Sequence, residues 1–392
     1  MKSRDIVLFL GAGFSKDAGL PTISEFGNES SAELSRLKSL RNKRQSTQYL
    51  TEAGDIFVKF QGHCEKAKRF INLDINNMEE IFCIAEVLKE AKINDLSLDG
   101  KGIPVEDLYT QIKIWLWKIY QQCPPLDTAK KISKETIEAY DSFIDYLKNR
   151  RLPDRLTVLT TNYDLIFEYF AWNRGIQSIY PFKRDKVEPL DVFDRKQSEY
   201  YVSLEPNDKG AIVCKLHGSI NFFNLKEEDK NSFGISYDIA KRGEPFVPDP
   251  PRPAIFMLNA IWELQQKLKN RNGEIDLAII PPTYAKLQEY FWLKETWKSS
   301  FRALENATYI IFIGYSFPES DGFIRAMISG AMASRMANTD LDVFVVNPDI
   351  NALCRYKRIF PHLSSPDSFV PLGFCEAWKK GELLRILSTI TD

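Results

Sequence analysis

The sequence predicts an α/β protein built on an open parallel sheet with helices on both faces. Three observations carry this expectation: short continuous apolar runs recur along the chain, segments of helical spacing lie between them, and the intervals are uneven. The runs are Ile6–Leu10, Leu156–Leu159, Ala211–Leu216, Leu277–Ile280, Tyr309–Ile313 and Leu341–Val346. Each is too short for a helix and rich in Val, Ile or Phe. Each is also unbroken rather than alternating, as strands buried on both faces of a parallel sheet are.

Between the runs, Met78, Ile81, Phe82, Ala85 and Leu88 follow the three-and-four step of one helix face, with Asn76 or Asn77 as cap. Tyr140, Phe143, Ile144 and Leu147 do the same just before the second run. Strands alternating with helices argue for helices on both faces of the sheet. About 145 residues separate the first two runs, far more than the dozen or so a crossover needs. A helical insertion subdomain is therefore expected over 29–151, with the main domain formed by 1–28 and 152–350. A second insertion is expected at about 221–276, carrying Pro248, Pro250, Pro251 and Pro253. Residues 351–392 are expected to pack on the core or at an oligomer interface. Trp115, Trp117 and Tyr120 read as core or oligomer contact. The basic runs Lys38, Arg41, Lys43, Arg44 and Arg355, Lys357, Arg358 read as solvated helix faces.

The chain has 392 residues, 44% hydrophobic and 27% charged, with 52 Lys+Arg against 53 Asp+Glu. That balance excludes disordered and collagen-like classes and a strongly basic nucleic-acid binder, leaving any nucleic-acid contact indirect. The six cysteines, Cys64, Cys83, Cys123, Cys214, Cys354 and Cys375, form no C-x-x-C pair and read as free thiols in a reducing cytosol. No apolar run approaches the roughly 18 residues of a membrane span. The stretch Ile6–Phe14, behind Lys2 and Arg4, mimics a secretion leader. It contains Gly11 and Gly13 and runs into Lys16-Asp17 without a cleavage site, so it reads as a buried strand of a cytoplasmic protein.

The chemistry gathers after the runs. The first leads into Gly11-Ala12-Gly13-Phe14-Ser15, with Gly19 following; glycines let backbone approach a ligand closely, and a helix start attracts phosphate. A tight turn is the competing account, and the spacing is not the G-x-G-x-x-G of dehydrogenases. The second leads into Thr160-Thr161-Asn162-Tyr163-Asp164, which reads either as a ligand contact or as a cap on a helix over Leu165–Phe170. The third gives Lys215-Leu216-His217-Gly218-Ser219, where His217 is either a proton carrier or a structural histidine. Gly314-Tyr315-Ser316 and Asn347-Pro348-Asp349 end two more runs. Five such ends on one sheet edge suit a dinucleotide.

Taken in order, Gly-Ala-Gly-x-Ser-x-x-x-Gly-Leu-Pro, Thr-x-Asn-x-Asp, Leu-His-Gly, Gly-x-Ser and a strand ending in Asn resemble the sirtuin superfamily over positions 8 to 349. The resemblance implies a Rossmann-like NAD-binding domain. In it Gly11, Ala12, Gly13 and Ser15 line the pyrophosphate, Asn162 and Asp164 the nicotinamide-ribose pocket, Gly19 and Thr161 also bind the cofactor, and His217 is the catalytic histidine. Gly314 and Ser316 lie against the diphosphate and adenosine, and Asn347 near the adenosine ribose.

Three departures separate the chain from that family's protein deacylases. The segment from Asn221 to Asp276 contains no cysteine, so the family's four-cysteine zinc module cannot form there and no metal is expected. Thr22-Ile23-Ser24-Glu25-Phe26 replaces Asp-Phe-Arg, and Pro281-Pro282-Thr283-Tyr284 replaces Phe-Gly-Glu. The chain is then similar to the sirtuin-like effectors of bacterial anti-phage defence (abortive infection), which hydrolyse NAD+ to nicotinamide and ADP-ribose. That resemblance implies NAD+ as substrate, no zinc, catalysis by Asn162, His217 and Asp164, a homo-oligomer, a HerA-type ATPase partner in trans and no membrane. The alternatives are a zinc-independent deacylase and a non-enzymatic NAD or ADP-ribose sensor that oligomerises.

Overall fold

The computed structural model describes residues 5–40, 45–120, 132–182, 187–191, 210–227, 230–238, 252–253, 274–280, 291–318, 321–335, 340–361, 363 and 366–391. Cys123, His362, Arg41, Lys43, Arg44, Pro248, Pro250, Pro251 and Pro281–Tyr284 lie outside these residues.

Strand β1 (Ile6–Leu10) is the centre of a seven-stranded sheet. It pairs in parallel with β4 (Leu156–Thr160) on one side and β12 (Tyr309–Ile313) on the other. Beyond β4 come β7 (Ala211–Lys215) and the two-residue β5 (Ser178–Ile179); beyond β12 come β13 (Asp342–Val346) and β14 (Phe369–Val370). Every pairing is parallel, giving a Rossmann-like open sheet.

The alternation within β1 shows why its sequence is unbroken. Ile6, Leu8 and Leu10 enter one core, while Val7 and Phe9 enter another. The first core is closed by α6 (Lys134–Asn149), α7 (Ile166–Asn173), α11 (Phe374–Lys379) and α12 (Glu382–Thr391). The second is closed by α8 (Phe291–Asn306), α9 (Gly322–Ser334) and α10 (Ile350–Ile359). Both faces of the sheet are thus covered, and every residue of the central strand is apolar and buried.

Helices α2 (Phe26–Ser39), α3 (Gln45–Glu65), α4 (Met78–Glu90) and α5 (Val105–Tyr120) form a third cluster, with the hairpin β2 (Asp95–Leu98)–β3 (Lys101–Pro104). Asn77 is the cap of α4, accepting from the amides of Glu79 and Glu80. Trp115, Trp117 and Tyr120 are buried in this cluster. Helix α6 packs instead with β1.

The helical layer rests on a second sheet of β6 (Val187–Asp191), β8 (Gly218–Glu227), β9 (Lys230–Asp238), β10 (Arg252–Pro253) and β11 (Glu274–Ile279). Buried Lys113 ties the two, donating to both Asp276 oxygens at 2.8 and 2.9 Å and to the Leu277 carbonyl at 2.9 Å. The run Leu277–Ile280, expected in the parallel sheet, therefore belongs to this second, mixed sheet, where β11 pairs antiparallel with β8. Its side chains explain the misleading signal. Leu277 and Ile279 enter the helical-layer core and Ala278 and Ile280 the main core, so the run is buried on both faces without being parallel.

Of the basic residues, Lys38 pairs with Asp55, and Arg355 is held by Asp349 and the Ser316 carbonyl. The described cysteines form no disulfide. Among the described residues no helix is long and apolar enough to cross a membrane.

Candidate active site

The turn after β1 is closed against the turn after β12 by backbone alone. The Gly11 amide donates to the Ile313 carbonyl at 3.0 Å and the Gly13 amide to the Gly314 carbonyl at 2.9 Å. Gly314 is left-handed (φ +65°), and a Cβ there would lie 2.3 Å from the Phe14 nitrogen; one on Gly13 would lie 2.7 Å from the Gly314 Cα. These glycines allow two strand ends to touch, a close approach that any side chain would block. Gly19, also left-handed, follows α1 (Ala12–Lys16) with open space around it.

With that side shut, the cleft opens on the other side of β1, towards β4. It has an empty volume of about 400 Å³, part of it open to solvent, lined by Ala12, Ser15, Pro21 and Ile23, by Thr161, Asn162, Tyr163 and Asp164, and by Met78, Glu79 and Tyr120 of the helical layer. Asn162 is fixed through its amide: Nδ2 donates to the Gly11 carbonyl at 2.9 Å and to Ser15 Oγ at 3.1 Å. Its backbone amide donates to Thr160 Oγ1, which itself donates to the Leu10 carbonyl. Buried Asp164 accepts from the amide of Ile166, the first residue of α7, at 2.9 Å, and it lines the cleft as well.

Beneath this turn lies a buried ion pair. Lys215 and Glu168 are each 1% exposed, with 2.8 Å between Nζ and Oε1. Lys215 also donates to the carbonyls of Asp164 and, at 3.4 Å, Asn162. Burial pushes the Glu168 carboxyl up, and Lys215 pulls it back.

His217 joins β7 to β8. It is 5% exposed, its ring lies edge-on to Tyr163 at 6.5 Å, and Nε2 is 3.7 Å from Asp321 Oδ1. It is not among the described lining residues of the cleft. Burial depresses its pKa below the ordinary 6.5, against the raising effects of Asp321 and of a backbone hydrogen bond to Ile280. The unfolded chain then binds a proton here before the folded one does, so stability falls as pH drops below about 6.5. A urea midpoint that declines between pH 6.5 and 5, with a shallower decline in His217→Gln, is the expected result.

The remaining positions predicted from sequence hold the neighbouring turns together. Asn347 donates through Nδ2 to the Tyr315 carbonyl at 2.8 Å and accepts from the Asp349 amide at 2.9 Å, so both ends of its amide are engaged. Ser316 is half-buried, and its carbonyl accepts from Arg355 at 2.6 Å. The structure thus brings Ala12, Ser15, Thr161, Asn162 and Asp164 onto one cleft. Gly11, Gly13 and Gly314 form its shut side, with Ser316 and Asn347 in the turns beyond.

Sequence reasoning missed Glu79, Glu168 and Asp321. Glu79 sits in the first turn of α4, where an acid reads as ordinary helix-end chemistry. The one available signal was Lys215, a charge inside an otherwise apolar run. Among the described residues no group of three or more His, Cys, Asp or Glu could hold a metal ion.

No protein-family model matches the chain, and no curated protein does. Among solved structures it is similar to a Sir2 in complex with the inhibitor EX-527, 2'-O-acetyl-ADP-ribose and a deacetylated p53 peptide, at 12% identity and TM-score 0.36, covering 98% of this chain and 95% of that one. It is also similar to a Sir2–p53 peptide–NAD+ complex, at 11% identity and TM-score 0.37, covering 98% and 95%. A mutant Sir2 homologue bound to ADP-ribose is similar at 12% identity and TM-score 0.34, covering 99% and 94%. At these scores the backbones do not superpose as wholes, and the architecture rests on this chain's own strand order.

Proposed function

We propose that the chain is an NAD+ glycohydrolase, cleaving the bond between nicotinamide and ribose. The observation that supports this most is the composition of the cleft. A neutral amide, Asn162, is clamped at its mouth, two carboxylates, Asp164 and Glu79, share its walls, and no lysine or arginine lines it among the described residues. Such a surface favours a cation, and the nicotinamide of NAD+ is a pyridinium.

In the reaction the C1′–N bond breaks, and its electron pair stays with the pyridinium nitrogen. Nicotinamide therefore leaves neutral, without a general acid. Positive charge passes to the ribose in an oxocarbenium-like transition state, as in glycoside hydrolysis. Asp164 stabilises that charge or holds the carboxamide, Asn162 aims the ribose hydroxyls and the attacking water, and His217 takes the proton that water gives up. Because burial keeps His217 neutral at pH 7, the acid limb of kcat/KM is expected below pH 6.5. The sequence resemblance extends this reading to an NAD+-depleting defence effector acting as a homo-oligomer with a HerA-type ATPase.

The test is release of nicotinamide and ADP-ribose from NAD+ by the purified chain, alone and with such an ATPase, beside Asp164→Asn. Release that falls sharply in the variant supports hydrolysis. Release that requires an acetylated peptide would identify a deacylase, and tight NAD+ binding without product a sensor; either result sinks the proposal.

A further inference from the structure

Asp321 occupies the N-cap of α9, where an aspartate ordinarily accepts from the helix's first amides. Here it makes no such bond. Its side chain is turned into the protein, 3% exposed, and Oδ2 accepts from the Tyr315 hydroxyl at 2.6 Å. Tyr315 is itself buried, packed against Phe9 at 4.6 Å between ring centroids, so the carboxylate is held in one orientation. The other oxygen, Oδ1, is buried and receives no hydrogen bond among the described residues; it is the atom 3.7 Å from His217 Nε2. A buried carboxylate oxygen without a donor is costly, and native proteins keep few of them. In unliganded sites the bonds of catalytic groups are often long and tighten on binding.

We infer that Asp321 is the positioning residue for His217, its Oδ1 taking the Nε2 proton so that Nδ1 is the nitrogen left to accept one. The two ring nitrogens are distinct, and the bond made by one decides the role of the other. When Nδ1 takes a proton from water, the imidazolium's charge faces the Asp321 side chain. Asp321 is the charged side chain that acts on the His217 ring, and together with a backbone hydrogen bond to Ile280 it opposes the ring's burial. Tyr163, Tyr120, Tyr315, Tyr356, Cys83 and Glu79 are further titratable groups of this neighbourhood among the described residues. None of the five motifs includes Asp321. The catalytic consequence rests on the proposed hydrolysis; the tautomer does not.

The experiment is NMR of the full chain carrying 13C,15N-labelled histidine. With only three histidines, His217→Gln identifies the signal. The expected result at pH 7 is a neutral His217 protonated on Nε2. Asp321→Asn, which keeps an acceptor for Tyr315, is expected to change the tautomer balance and lower the pH at which the ring titrates. Tyr315→Phe is expected to leave the Nε2 proton in place. A wild-type ring protonated on Nδ1, or an Asp321→Asn titration identical to wild type, would overturn the inference. Kinetically, Asp321→Asn is expected to lower kcat about 10²-fold with little change in KM; a loss confined to KM would count against it. A wild-type chain inactive on NAD+ would defeat the proposed reaction while the tautomer measurement still decides the role of Asp321.

Discussion

Asn162→Ala is expected to abolish nicotinamide release, a loss of at least about 10²-fold, in a protein that remains folded. The substitution removes the donor to the Gly11 carbonyl and the Ser15 hydroxyl, the two contacts that clamp the amide at the cleft. Two lost hydrogen bonds at a partly exposed position cost about 1–3 kcal/mol, so the circular dichroism spectrum is expected to be unchanged and the melting temperature slightly lower. Asn162→Asp keeps the shape but sets an acceptor against the Gly11 carbonyl, and is expected to be equally inactive and less stable. Steady-state nicotinamide release with thermal melts of the same samples checks both. Near wild-type turnover by a folded Asn162→Ala would remove the Asn162 turn from the mechanism.

The largest expected effect on stability comes from Lys215→Met. Glu168 would remain 1% exposed with no cation beside it, and the carbonyls of Asn162 and Asp164 would lose their shared donor. Breaking a buried pair from one side costs about 3–5 kcal/mol, which in a chain of 392 residues lowers the melting temperature by about 4–6 °C. The double variant Lys215→Met/Glu168→Gln removes the stranded charge while keeping an acceptor for Tyr180, whose hydroxyl lies 3.2 Å from Glu168. It is expected to recover most of the loss. Urea and thermal midpoints of the three proteins decide the matter: a single variant within about 1 kcal/mol of wild type would mean the pair is not the support of the turn.

The parts of the fold legible in sequence were those whose burial is two-sided. β1 and β12 match their apolar runs end to end because every side chain meets a core, and a glycine turn follows each. The edge strands β5 and β14 are two residues long and carry no pattern to read. Leu277–Ile280 misled because two-sided burial, not parallel pairing, produces an unbroken run. At the site, Asn162 and Asp164 were visible because they follow a strand directly. Glu79 and Asp321 come from helix starts remote in the chain, where an acidic residue has an ordinary local explanation that hides a tertiary one.

The central position of β1 has a consequence for how the protein is made. Its hydrogen-bonding partners on β4 lie about 150 residues downstream, and those on β12 about 300. At roughly 5–20 residues per second of synthesis, the most apolar strand leaves the ribosome at least several seconds before one neighbour exists and about twice as long before the other. Until β4 follows, Ile6–Leu10 offers two open edges and two greasy faces to the cell, and one edge stays open until β12 does. Production of the chain should therefore depend on holdase chaperones, and slowing translation late in the message should raise aggregation rather than lower it.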